Sequence, residues 1–277
     1  MRPNSLQEAL EALATTGATL LSGGTDIFPP LSDRPLSGPV IDISGLREIA
    51  GIRVTDSYVV IGGRTSWTEI AKSSLPRGFD GLKAAAREVG SVQIQNQGTV
   101  AGNICNASPA ADGVAALMAL DAEVTLTSRT ASRTIALTDF ILGNRKTVRR
   151  PIELLTSVQI PRRLENAASS FLKLGSRRYL VISIVMVAAN LVTDAHGMIS
   201  EALICVGSCS PKALRLSSLE QALLGAPARK GLSALVREEH LAPLSPIDDV
   251  RGSAAYRLDA AKTLLARALE ACAEKAA

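Results

Sequence analysis

The residues able to do chemistry in this chain gather in two short stretches, and their types suit binding more than reaction. One stretch is Gln93-Ile94-Gln95-Asn96-Gln97-Gly98-Thr99-Val100-Ala101-Gly102-Asn103, running on to Asn106-Ala107-Ser108-Pro109-Ala110-Ala111-Asp112. The other, upstream, is Leu20-Leu21-Ser22-Gly23-Gly24-Thr25-Asp26. Each combines small residues with hydroxyls or amides and a carboxylate. That composition suits a loop laid against a polar, phosphate-bearing ligand. Glycine and alanine let the backbone approach closely, and free N–H groups in such turns form an anion-binding concavity. Two such loops point to one large nucleotide held from two sides.

The rest of the sequence offers no bond-making machinery. The four cysteines, Cys105, Cys205, Cys209 and Cys272, include no C-x-x-C pair and no spacing suited to an iron–sulfur cluster. Cys205 and Cys209 fall in a strand-like run whose spacing would place both on one face, as small buried apolar groups. The two histidines, His196 and His240, lie far apart in polar, turn-like surroundings, which argues against zinc. With no catalytic triad or paired carboxylates evident, the chemistry falls to a bound cofactor.

Composition bounds the class. The chain has 277 residues, 47% apolar and 20% charged, enough for more than one packed core. Aromatic residues make up only 3%, with one Trp, so the core is built from Ala, Leu, Val and Ile. Few aromatics also argue against single-stranded nucleic-acid binding. The net charge of +4 suits an anionic cofactor or an acidic partner and is too small for DNA binding. Neither a signal peptide nor an apolar run of membrane-spanning length is present, which reads as a soluble, cytoplasmic protein.

The elements that must position the two loops follow from periodicity. Residues 5–16 read as a helix capped by Ser5 and ended by Gly17. A short strand at 19–22 delivers the Gly23-Gly24 turn, with another strand at 40–44 and a helical turn at 46–49. A strand or hairpin at 54–62, helices at 66–73 and 82–89, the amide-rich loop and a helix at 111–120 come next. Strands at 123–127, 133–137 and 154–160 precede an irregular boundary at 161–168. Strands at 170–174, 182–192 and 199–206 and helices at 216–223, 231–239 and 253–274 complete the chain. Segregated strands and helices imply a C-terminal α+β unit.

The ordered set of motifs resembles the FAD-binding, medium subunit of the molybdenum hydroxylases, the family of xanthine dehydrogenase and carbon monoxide dehydrogenase flavoproteins. The resemblance rests on Leu21–Asp26, Ile61-Gly62-Gly63-Arg64-Thr65, Gln93–Asn103, Ser108–Asp112, Glu153-Leu154-Leu155 with Ile160-Pro161, Phe171-Leu172-Lys173, and Asp248–Arg257. It covers nearly the whole chain. It implies an α+β fold: a two-subdomain FAD domain of the vanillyl-alcohol-oxidase type over 1–164 (about 1–53 and 54–164), then a C-terminal α+β domain over 168–277.

By the same resemblance, Leu20, Leu21, Ser22, Gly23, Gly24, Thr25 and Asp26, together with Thr99, Val100, Ala101, Gly102 and Asn103, wrap the FAD pyrophosphate, mostly through backbone N–H groups. Asp112 matches a carboxylate that contacts the cofactor; read alone it could cap a helix, but its place directly after the amide-rich loop favours a ligand role. Leu155 and Lys173 match positions lining the flavin or adenine end, although a lysine there could also be a solvated strand charge. Ile182 matches a residue packed near the isoalloxazine ring, and Arg177-Arg178 could face a partner instead. Two positions depart from the family pattern: Ala101 stands where glycine is usual, and Val181, within Tyr179–Ile182, stands where several relatives carry an acid.

The implied function is electron transfer. The chain would take electrons from [2Fe–2S] clusters on a small subunit, fed by a molybdenum cofactor on a large subunit, and pass them to NAD, a quinone or oxygen. A dimer of heterotrimers is implied. The alternatives are a stand-alone FAD oxidoreductase of the same fold, resembling the cell-wall precursor reductase, and a flavin-free scaffold.

Overall fold

A computed structural model describes residues 1–32, 34–178 and 180–276. Tyr179, within the stretch that carries the family comparison, and the terminal Ala277 therefore lie outside the described residues.

Helix α1 (Leu6–Thr16) starts where Ser5 Oγ accepts the Glu8 N–H and ends at Gly17, whose φ of +58° is the left-handed closure glycine allows. Its buried stripe of Ala9, Leu10 and Leu13 shares a small core with Ile41, Ile43, Leu46 and Ile49. Beneath it lie β1 (Thr19–Leu21) and β2 (Val40–Asp42), paired in parallel. Next come a hairpin, β3 (Ile52–Val54) and β4 (Tyr58–Gly62), and α2 (Trp67–Lys72), opened by a capping box between Ser66 and Glu69.

Four helices follow in close succession: α3 (Asp80–Glu88), α4 (Val92–Gln97), α5 (Val100–Asn106) and α6 (Asp112–Met118). Then β5 (Glu123–Thr127) and β6 (Ser132–Ala136) pair, followed by the turn α7 (Leu137–Phe140) and a small hairpin, β7 (Ile141–Gly143) with β8 (Lys146–Thr147). Strand β9 (Leu154–Pro161) pairs with both β4 and β5, closing a five-stranded antiparallel sheet in the order β3-β4-β9-β5-β6.

The C-terminal half is a four-stranded antiparallel sheet of β10 (Ala168–Leu174), β11 (Val185–Thr193), β12 (Ile199–Gly207) and β13 (Leu214–Arg215), in that spatial order. Helices α8 (Ser217–Leu223) and α9 (Ala254–Ala276) follow. The two-residue period of β11 sorts its side chains. Val185, Val187, Ala189 and Leu191 join a core with α8 and α9, whereas Met186 and Ala188 join the core of α3 and α6. Helices from the N-terminal half thus cover the second face of the C-terminal sheet. The architecture is α+β, as expected: a two-part N-terminal region followed by an antiparallel sheet with helices. Among the described residues, no helix is long and apolar enough to cross a membrane.

Four expectations are corrected. The amide-rich stretch is two short helices, α4 and α5, parted at Gly98; Ser91 and Thr99 accept the Ile94 and Gly102 N–H groups and so start each one. Residues 231–239 form separate 3₁₀ turns, because Val236 between them is extended. The strand expected from Ile182 begins at Val185, leaving Ile182 outside it and 61% exposed. Cys205 and Cys209 do not share a face. Cys205 Sγ lies 4.0 Å from Met118 Sδ, under α6, whereas Cys209 Sγ lies 3.9 Å from the Arg257 carbonyl, under α9. Strand β12 ends at Gly207, and Ser208, at φ +64°, breaks the alternation.

Candidate cofactor groove

The Ser22–Asp26 turn is delivered by β1 and held by its glycines. A Cβ on Gly23 would lie 1.9 Å from the Gln97 carbonyl oxygen, so the turn packs directly on the end of α4. Gly24, at φ +71°, lies under the Phe28 ring, 2.4 Å from where a Cβ would sit, and its carbonyl accepts the N–H groups of Ile27 and Phe28. The backbone N–H groups of Ser22, Gly23, Gly24, Thr25 and Asp26 donate to no acceptor among the described residues. Five successive uncommitted donors make a concavity suited to an anion.

Helix α5 faces this turn in a different way. Its first N–H groups are already used: Val100 donates to Thr65 O, Ala101 to Gly63 O, Gly102 to Thr99 Oγ1 and Asn103 to Thr99 O. The free donors therefore lie on the Ser22–Asp26 turn. Helix α5 contributes a low surface at Gly102 and the Asn103 amide. Both Asn103 Oδ1 and Ser22 Oγ are buried without a hydrogen-bond partner. A native fold rarely leaves such atoms unsatisfied, and a polar ligand laid between them would complete both.

Three connected cavities run past these loops. The first, about 390 Å³, is walled by Leu20, Ile43, Ile49, Ala101, Cys105 and Leu155. The second, about 260 Å³, runs along Ser22–Ile27 and across Trp67, Thr99, Gly102 and Asn103. The third, about 440 Å³, opens between Asp26, Asn103, Asp112, Arg145, Val181 and Ile182. Leu20, Ser22, Gly102 and Cys105 belong to the first two, and Asp26, Asn103 and Asn106 to the last two. The result is one groove with an apolar end, a donor-rich waist and a wider far end. A ring–diphosphate–ring molecule has that same sequence of needs, so the residues present fit FAD.

Asp112, at the first turn of α6, is tied into the floor of the far end. Its Oδ2 lies 2.7 Å from Lys173 Nζ, and its Oδ1 accepts the Ser183 hydroxyl at 2.6 Å. Lys173 also donates to the Glu88 carbonyl at 3.1 Å, and both charged side chains are 7% exposed. Burial pushes the Asp112 carboxyl above the usual carboxylate range, opposed by the Lys173 ammonium and by the two hydrogen bonds.

Of the residues singled out in the sequence, Leu20, Ser22, Gly23, Gly24, Thr25, Asp26, Thr99, Ala101, Gly102, Asn103, Asp112, Leu155 and Ile182 all line the groove. Leu21, Val100 and Lys173 do not. Val100 is fully buried, and Lys173 reaches the site only through Asp112. Trp67, Cys105, Asn106, Arg145 and Arg149 also line it without having been expected there. Gly102, Cys105 and Asn106 stand at three- and four-residue spacing on one face of α5, a pattern hidden by reading the stretch as a loop.

Residues 1–163 match the family model described as the FAD binding domain in molybdopterin dehydrogenase. Residues 170–272 match that of the CO dehydrogenase flavoprotein C-terminal domain. The chain is 35% identical to the nicotinate dehydrogenase FAD-subunit of Eubacterium barkeri, over 81% of this chain and 79% of the relative. It is 29% identical to the glyceraldehyde dehydrogenase medium chain of Sulfolobus acidocaldarius, over 98% and 96%. A solved carbon monoxide dehydrogenase from Hydrogenophaga pseudoflava, lacking the Mo-pyranopterin moiety of its molybdenum cofactor, superposes with a TM-score of 0.90 at 28% identity, covering 100% of this chain and 97% of that one.

Proposed function

This chain belongs to the FAD-binding subunits of the molybdopterin dehydrogenases, and on that premise we propose that it is the electron-transfer subunit of a multi-subunit molybdenum hydroxylase. It takes electrons from [2Fe–2S] clusters on a small partner subunit and passes them to an external acceptor: NAD, a quinone or oxygen. A large subunit carries the molybdenum cofactor and the organic substrate. The assembly is a dimer of heterotrimers in the cytoplasm, a setting that agrees with four free cysteines. Residues 1–164 form the FAD domain and 168–277 the C-terminal domain.

The observation that carries this reading is the groove waist, where five uncommitted backbone donors face the partnerless Ser22 Oγ and Asn103 Oδ1. The Ser22–Asp26 turn holds the pyrophosphate. The Ser22 hydroxyl can donate to its edge, the Asn103 Oδ1 acceptor takes a hydroxyl of the ligand beyond it, and Thr99 and Gly102 keep the approach open. Leu155 and Ala101 wall the apolar end. Asp112, positioned by Lys173 and Ser183, presents a carboxylate to the far end, where Ile182 lies at the mouth. Bound there, FAD supplies the redox chemistry that the side chains lack.

The test is a visible spectrum of the purified chain, with identification of the chromophore released on denaturation. Flavin bands with FAD released are expected. The single tryptophan, Trp67, lines the waist and is 1% exposed, so FAD added to the stripped chain should quench its fluorescence. A colourless protein whose Trp67 emission is indifferent to FAD would refute the assignment.

A further inference from the structure

A second cleft, about 410 Å³, lies on the other side of Ile182, outside the groove already described. Ser108, Ala110 and Ile182 wall both cavities, so the cleft adjoins the far end of the groove. Its apolar walls are Pro109, Pro211, Ile182 and Ile247, the two isoleucines being 61% and 63% exposed. Its polar end is built by Arg251, Arg257, Ser208, Ser210, Ser245 and Asn144.

Asp249 is the one carboxylate serving both arginines. Its Oδ1 accepts from Arg257 Nη2 at 2.7 Å, and its Oδ2 accepts from Arg251 Nε and Nη2 at 3.0 and 2.6 Å. Asp248 is turned to another task, accepting the Ala254 N–H at 2.6 Å, and does not wall the cleft. Arg257 is 1% exposed, with Nη1 donating to the Ile184 and Ser208 carbonyls. The lining itself therefore carries two guanidinium groups and no carboxylate, beside largely apolar walls. Donors are left unmatched among the described residues. Ser208 Oγ and Arg257 Nε are buried without partners, and Arg251 Nη1 makes no hydrogen bond.

We propose that this cleft binds a small, largely apolar molecule carrying one anionic group, its charge on the Arg251 and Ser208 end and its ring between Ile182 and Ile247. The volume lies in the range of ligand pockets that place a few polar groups in an apolar lining. Its occupant sits next to the far end of the groove, where an external electron acceptor must approach; that role rests on the FAD reading, while the anion site itself does not.

Isothermal titration of the full chain with benzoate and with phenyl phosphate tests the proposal, with benzyl alcohol as the uncharged control. Saturable one-to-one binding of an anion, with the alcohol silent, is expected; the tighter anion tells a carboxylate head from a phosphate head. Arg251→Gln removes a charge-assisted hydrogen bond and should weaken binding by about tenfold to a hundredfold. Ile247→Asp changes an exposed wall position and should also weaken it. No saturable binding of either anion, or affinities unchanged in both variants, overturns the proposal. The titrations are run with and without FAD. A chain that binds the anions but never holds FAD would remove the cofactor reading and leave this one standing.

Discussion

Replacing Lys173 with methionine strands a buried carboxylate. Methionine keeps the unbranched stem and removes the ammonium that lies 2.7 Å from Asp112 Oδ2. Asp112 then keeps only the Ser183 hydroxyl, at 6% exposure. Breaking a buried pair by removing one partner costs about 3–5 kcal/mol, because the remaining charge is neither solvated nor paired. At about 2–4 °C per kcal/mol for a domain of this size, the melting temperature should fall by about 6–20 °C. The loss carries a pH signature. Burial already raises the Asp112 carboxyl above its ordinary value, and Lys173 holds it down. Without Lys173 it rises further, so the folded variant binds a proton that the unfolded chain has released. Stability then grows as pH falls through the raised value, the opposite of an ion-paired acid. The gap between Lys173→Met and the parent should therefore narrow from pH 8 to pH 5. Adding Asp112→Asn should recover most of the loss at pH 8, since no charge is left unpaired. Melts followed by circular dichroism on the FAD-free chain read all three. A melting temperature within a degree of the parent, or a gap that widens toward acid, would refute the reasoning.

Gly23→Ala places a methyl 1.9 Å from the backbone oxygen of Gln97, which cannot swing aside; the chain should fold and carry little flavin, read as the ratio of flavin to protein absorbance. Asn103→Ala removes a buried acceptor that has no partner in the protein. The FAD-free chain should be no less stable, while FAD affinity falls about threefold to tenfold in the Trp67 quenching titration. Burial holds the Cys105 thiol up at about 11. Because Cys105 walls the groove and is only half-buried, it should react slowly with a thiol reagent at pH 8 and more slowly still with FAD bound. The fully buried Cys205, Cys209 and Cys272 should react only after unfolding.

The parts of the fold legible in the sequence were those set by local rules. Ser5 and Gly17 marked the ends of α1 because capping is a contact across three or four residues. Strand β5 announced itself by its β-branched residues, and its burial alternates as a strand's must. The Gly23-Gly24 turn was readable because backbone approach demands glycine whatever the rest of the fold does. What stayed hidden depended on distant partners. Asp112 and Lys173 are 61 positions apart, and only the packing of α6 against the C-terminal sheet brings them together. The amide-rich stretch read as a loop because glutamine and asparagine lack an apolar stripe. In the structure Ser91 and Thr99 cap its two helices, a local signal that reading it as a loop passed over. The β7–β8 hairpin escaped because strands of three and two residues show too little alternation to register.

The distribution of donors explains why two loops of similar composition do different work. Helix α5 packs against β9, and its opening N–H groups are tied to Gly63, Thr65 and Thr99. Those bonds hold the helix at the groove's floor and leave it without those donors. The Ser22–Asp26 turn has the reverse arrangement. Gly23 and Gly24 fit it closely against Gln97 and Phe28, and its hydrogen bonds are accepted at the Gly24 carbonyl, leaving five N–H groups unspent. Trp67 fixes the distance between the two systems. Its ring packs against Gly113, where a Cβ would sit 2.0 Å away, and its Cδ1 lies 3.5 Å from a Cβ built on Gly98. Gly113 cannot be replaced without moving that ring, whereas a Cβ on Gly98 would press on the Ile94 carbonyl oxygen at 2.8 Å, so the small residues around Trp67 are a condition of the groove's width as much as of close approach by a ligand.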